Sequence, residues 1–161
     1  MTGPGYDVLV LAHVLSAVVG FGAIGITGTY AARARSLPEP LRQARLRRYF
    51  HPGTNWAERS LYLTPVLGAI LLFAGDRSAV SQLWPWIGLG CWLLAVAIAT
   101  ALCWPAERKI QSFFAQVGEA RQDAPEALAG FRDACRVLQW GASAISLCFL
   151  VAVVVMIGQP R

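Results

Sequence analysis

From Val8 to Ala32 the chain contains no Asp, Glu, Lys or Arg, and its only strongly polar side chain is His13. A helix that is apolar all round must be covered by something other than water. This run is long enough to cross a hydrocarbon core about 30 Å thick, which takes roughly 20 residues at about 1.5 Å each. Three later stretches repeat the pattern, so the expected spans are 8–31, 56–74, 84–104 and 137–157. Composition agrees, because 56% hydrophobic and 14% charged residues leave too little charged surface for a soluble domain. The expected fold is all-α: a polytopic membrane four-helix bundle that forms a single membrane domain over residues 1–161. The segment before the first span, MTGPGYD, has no basic residue and the apolar run is too long for a signal peptide, so the first span is expected to stay in the mature protein.

Charge placement predicts the orientation. Arg33, Arg35, Arg42, Arg45, Arg47, Arg48 and Arg59 cluster between spans one and two. Arg108, Lys109, Arg121, Arg132 and Arg136 cluster between spans three and four, leaving Arg77 and Arg161 for the other side. By the positive-inside rule both basic connections are cytoplasmic, both termini are outside, and the protein is a multi-pass protein of the cell (inner) membrane. The net charge of +5 is thus a topology signal. No aromatic residues interleave the arginines as a base-stacking platform would, so nucleic acid is not an expected partner.

The first connection should hold a short basic helix, Leu41 to Phe50, whose Arg42, Arg45, Arg47 and Arg48 would reach anionic lipid headgroups. A solvated loop that only enforces topology is the alternative. His51 follows as a loop histidine near the headgroups. Asn55 and Glu58 have the spacing of a capping box, with Glu58 reaching back to the Asn55 backbone. Pro65 should kink the second span, with Thr64 able to satisfy a freed carbonyl. Glu58, Tyr62, Pro65 and Ala69 are spaced to share one face there. Glu58 and Arg59 are read either as a polar-cavity pair or as a cap and topology anchor. Trp84, Trp86, Trp92 and Trp104 read mostly as interface-belt residues and not as a cofactor box, with Trp104 at the opposite interface. The helical pattern continues past Pro105, and Ile110, Phe113 and Phe114 should face Phe131, Cys135 and Leu138. Helices three and four are therefore expected to extend into a cytoplasmic hairpin turning near Asp123. The four cysteines have neither zinc nor disulfide spacing and read as small apolar fillers.

The chemistry centres on the first span. His13, Ser16, Gly20, Ala23, Thr27 and Ala31 recur at three and four residues, a stripe of small and polar groups that should face the bundle interior. An imidazole there is costly unless bonded. Three readings stand side by side. One is an interhelical hydrogen bond, to Ser16 or a backbone carbonyl. A second is axial ligation of haem iron, with Met156 as a candidate second ligand. The third is metal or proton handling, although His13 with distant Cys and Met makes a poor copper cluster.

The stretches LAHVLSAVVGFGAIG and AERSLYLTPVLGAILLFAG resemble the first two spans of small four-helix membrane families. These are the HemJ-type protoporphyrinogen oxidases, the CopD-type copper membrane proteins and a related family of unknown function. The HemJ likeness implies that His13 binds haem b and that the reaction oxidises a porphyrinogen. Two departures stand out: Gly-Phe-Gly replaces that family's Trp-Phe step, and span 84–104 lacks the Lys associated with activity. The expectation is therefore membership of the family without assigned activity, with haem b as the candidate cofactor and catalysis not expected. The alternative function is a non-catalytic accessory subunit of a larger membrane complex, or a homo-oligomer.

Overall fold

The computed structural model describes residues 3–38, 44–75, 80–115 and 125–158. Among these there is no β-strand, and four helices are long and apolar enough to cross a membrane. They are α1 (Pro4–Ser36), α3 (Trp56–Ala74), α4 (Leu83–Ala115) and α5 (Pro125–Gly158). A short α2 (Ala44–Tyr49) lies in the first connection. All four expected spans fall within these helices. The expected turn near Asp123, the start of the basic helix at Leu41, and Arg42, Arg77, Arg121 and Arg161 lie outside the described residues.

Two helices carry a local change of pitch, and each change sits beside a proline. In α3 a 3-10 turn, Ser60–Tyr62, precedes Pro65. In α4 a π turn, Ala99–Cys103, leads into Trp104 and Pro105. A proline has no N–H and its ring crowds the carbonyl four residues back, so the hydrogen-bond ladder must adjust there. The wider π turn makes that adjustment without ending the helix, which is why α4 runs on to Ala115. The 3-10 turn has a second effect. It advances the chain at about three residues per turn, so the shared face expected for Glu58, Tyr62, Pro65 and Ala69 is broken. Glu58 is 3% exposed whereas Tyr62 is 40% exposed.

The chain forms two compact units. The first comprises residues 1–24, 55–96 and 145–161. Its core holds Phe21, Ile24, Leu61, Ala95 and Ile145. Phe21 stacks on Phe149 with ring centroids 4.8 Å apart. Small residues set the helix spacing: at Gly20 of α1 a Cβ would come within 2.7 Å of the Leu61 amide nitrogen of α3. The expected stripe is buried or half-buried throughout, from His13 to Ala31.

The second unit comprises residues 25–54 and 97–144. Aromatic rings build its core. Phe113 stacks on Phe131 at 4.3 Å, Phe114 meets Phe131 edge-on at 5.6 Å, and Phe50 lies parallel to Phe114 at 6.0 Å. The facing stripes expected of helices three and four therefore do bury each other. Trp104 is a correction: it is 8% exposed and belongs to this core, not to an interface belt. The π turn and the close neighbour contacts of Cys103 draw that part of α4 inward, where a Cβ on Gly141 would stand 2.5 Å from Cys103 Sγ. The basic α2 is formed, with Leu46 and Phe50 buried and Arg45, Arg47 and Arg48 exposed.

At Gly28 the second unit allows no side chain, because a Cβ there would overlap the Cβ of Ala142. Gly28→Ala should therefore destabilise the protein by about 1–3 kcal/mol through overpacking. Adding Ala142→Gly in the same chain should restore most of the loss, as read from thermal unfolding in detergent.

Candidate functional site

Pro65 is the residue that shapes the polar cluster of the first unit. In an uninterrupted helix the amide of residue 65 would donate to the carbonyl of Leu61, and proline cannot. That carbonyl accepts from the Trp92 indole of α4 instead, at 2.9 Å. Thr64, expected to relieve the freed carbonyl, is not its donor. The donor is a tryptophan from another span, which is long enough to reach across from α4.

Thr64 has a different part. Its backbone carbonyl accepts a hydrogen bond from Nδ1 of His13 at 2.9 Å. A carbonyl has no proton to give, so Nδ1 carries the hydrogen and the neutral ring presents Nε2 as a lone pair. Ser16 Oγ donates to the His13 carbonyl at 2.8 Å. Its one proton being used there, the 3.2 Å contact between Ser16 Oγ and Thr64 Oγ1 has Thr64 as donor. One turn away, Ser60 Oγ lies 2.7 Å from the Ala57 carbonyl and 3.2 Å from the Ser16 carbonyl. α1 and α3 are thus joined by a small network of hydroxyls, carbonyls and one imidazole.

Glycine makes the ring's position possible. A Cβ on Gly68 would stand 3.1 Å from Cε1, 3.6 Å from Nδ1 and 4.0 Å from Nε2 of His13. The imidazole therefore lies over Gly68, one helical turn beyond the carbonyl that anchors it. The expected interhelical bond to a backbone carbonyl is present.

The other candidates occupy different places. Glu58 is buried and accepts from Asn55 Nδ2 at 3.0 Å. Asn55 stands at the N-cap without a side-chain cap bond, so its half of the expected capping box is not formed. Arg59 is half-buried beside it in sequence and Tyr62 is exposed. Met156 packs on α4, its Cε 2.8 Å from where a Cβ on Gly88 would lie. His51 is exposed, its Nδ1 donating to the Pro52 carbonyl at 3.0 Å. Among the described residues no group of three or more His, Cys, Asp or Glu is placed to hold a metal ion, and none of the four cysteines is in a disulfide.

The parts played by Trp92, Ser60 and Gly68 are not among those expected from the sequence. Pro65 was the available signal for Trp92, because a proline in a span obliges some donor to reach the carbonyl four residues earlier. Gly68 lies one turn past Thr64, where small size admits a ring from a neighbouring helix.

A family model described as predicted integral membrane protein (DUF2269) matches residues 7–160. The chain belongs to that family. No curated protein and no solved structure matches it. Membership of the DUF2269 family accords with the four long apolar helices and establishes a multi-pass membrane protein whose family has no assigned activity.

Loss of the Trp92 donor should be measurable in this DUF2269 protein. Trp92→Phe leaves the Leu61 carbonyl without its indole partner at a cost of about 1 kcal/mol. In a Pro65→Ala background the restored amide serves that carbonyl, so the same substitution should cost less. A double-mutant cycle on thermal unfolding in detergent reads the difference, and equal costs in both backgrounds would remove the link between Pro65 and Trp92.

Proposed function

We propose that the protein binds haem b through Nε2 of His13 and acts as a non-catalytic haem-binding membrane protein. One observation carries the reading: the Nδ1–H···O=C bond to Thr64 fixes the tautomer and leaves Nε2 as the ligating position. Metal-bound histidines commonly donate their other ring N–H to a carbonyl or carboxylate, which orients the ring and raises its basicity. The residues fit the group on three counts. The donor atom is a neutral imidazole nitrogen, the ring is bonded to Thr64 and lies over Gly68, and apart from Ser16 the neighbouring side chains of α1 are apolar. Haem so held would supply one-electron chemistry. The chain's own contribution is to orient the imidazole through the Thr64 carbonyl, with the Ser16 hydroxyl bonded to the Thr64 hydroxyl beside it, and to limit water around the ring.

The HemJ-type likeness of the first two spans favours the same residue, and the lack of Lys in 84–104 favours binding without porphyrinogen oxidation. Positive-inside bias favours a cell (inner) membrane protein with both termini outside. In the second unit Arg33, Arg35, Arg45, Arg47, Arg48, Arg108, Lys109, Arg132 and Arg136 lie together, whereas Arg59 is the described basic residue of the first. A reporter fused at the C-terminus should be active in its periplasm-type form and silent in its cytoplasm-type form; the reverse pattern would overturn the orientation.

Protein purified in mild detergent should show a Soret band that His13→Ala abolishes and Ser16→Ala leaves in place with altered position or intensity. A wild type that stays colourless after haem is supplied would sink the proposal.

A further inference from the structure

Near the end of α1 the second unit contains an open cleft of about 540 Å³. Two arginines line it, Arg33 from α1 and Arg45 from α2. Neither has an ion-pair partner among the described residues. Two cationic side chains at one cleft repel each other, and an anion between them would convert that repulsion into attraction. The planar fork of Arg suits a phosphate, which it can hold with two parallel hydrogen bonds.

The rest of the lining narrows the ligand. Leu46, which is buried, and Leu37 supply an apolar wall. Tyr30 also lines the cleft, its ring fixed by stacking on Tyr49 at 4.0 Å and 10°. Ser36 Oγ donates to the Ala32 carbonyl at 3.1 Å, so its proton is already committed. A bare inorganic phosphate would leave the leucine wall wet and most of the volume unfilled, since clefts of this size hold drug-sized molecules. Position points the same way. Arg33 is the first charged residue after the uncharged run that begins at Val8, so the cleft lies where the helix leaves the hydrocarbon.

We infer that this cleft is a binding site for the phosphate headgroup of an anionic phospholipid. Arg33 and Arg45 hold the phosphate, and Leu37 and Leu46 cover the start of an acyl chain. The site is independent of His13 and of any haem bound there.

The test is lipid titration of the full-length protein in an uncharged detergent, read by native mass spectrometry. The probes are dioleoylphosphatidylglycerol, dioleoylphosphatidylcholine and inorganic phosphate. One phosphatidylglycerol should bind at least about tenfold more tightly than phosphatidylcholine. The double variant Arg33→Gln/Arg45→Gln should weaken phosphatidylglycerol about thirtyfold, taking two surface arginines at their usual worth near a membrane. A control pair, Arg108→Gln/Arg132→Gln, removes the same charge from the same unit and should weaken it less than about threefold. Each single variant, Arg33→Gln or Arg45→Gln, should show an intermediate loss, so the outcome does not depend on the double variant folding. Equal affinity for the two lipids, or equal losses in the two double variants, overturns the inference. Binding of inorganic phosphate as tight as that of phosphatidylglycerol overturns the lipid and leaves a free-phosphate site.

Discussion

Within a hydrocarbon core no water is present to take up a backbone group that a helix leaves unpaired. Much of the first unit follows from that constraint acting at one residue. Pro65 withholds the amide that Leu61 would otherwise receive, and the Trp92 indole supplies it from α4. One turn of chain around that proline then carries a cluster of polar contacts: Ser60 at one end, Thr64 at the other, and His13 and Ser16 opposite them on α1. The imidazole is stationed where the α3 backbone is already disturbed. The Trp92–Leu61 and His13–Thr64 bonds on either side of that proline thus link three membrane helices around a half-buried histidine.

Close approach is the second ingredient, and it differs in kind between the two units. In the first, Gly20 and Gly68 remove side chains where a neighbouring backbone or an imidazole must come near. Apolarity gives membrane helices little reason to associate, so packing at such small residues and interhelical hydrogen bonds have to do it. In the second, stacked and edge-on phenylalanines from α4, α5 and the first connection fill the core. That pattern resembles the interior of a soluble protein, as suits segments that carry many arginines on their exposed positions.

Much of the candidate site could be read in advance, and the misses share a cause. The stripe from His13 to Ala31 was legible because helical spacing alone decides which residues share a face. The partner of His13 was legible only as a class, a carbonyl or a hydroxyl, because the choice depends on which helix lies opposite. Trp92 and Gly68 went unrecognised as parts of the site because their roles exist only once α4 and α3 are brought beside Leu61 and His13. The Asn55–Glu58 spacing suggests a cap from the Asn55 side chain, yet that amide donates to the buried Glu58 carboxylate instead. Trp104 was placed at an interface by its position at the end of an apolar run. The π turn before Pro105 instead accompanies an inward-facing ring.

By itself the sequence determined the number of spans, their approximate limits, the continuation of the third helix past Pro105, and the face on which His13 lies. These follow from quantities local to the chain: length without charge, helical period, and the backbone chemistry of proline. Tertiary structure alone decided which donor reaches the Leu61 carbonyl, which atom orients His13, and that Arg33 and Arg45 line one cleft. Those depend on residues far apart in sequence meeting at distances of about 3 Å, or across a single cleft. Periodicity along one helix carries no information about the register of its neighbour.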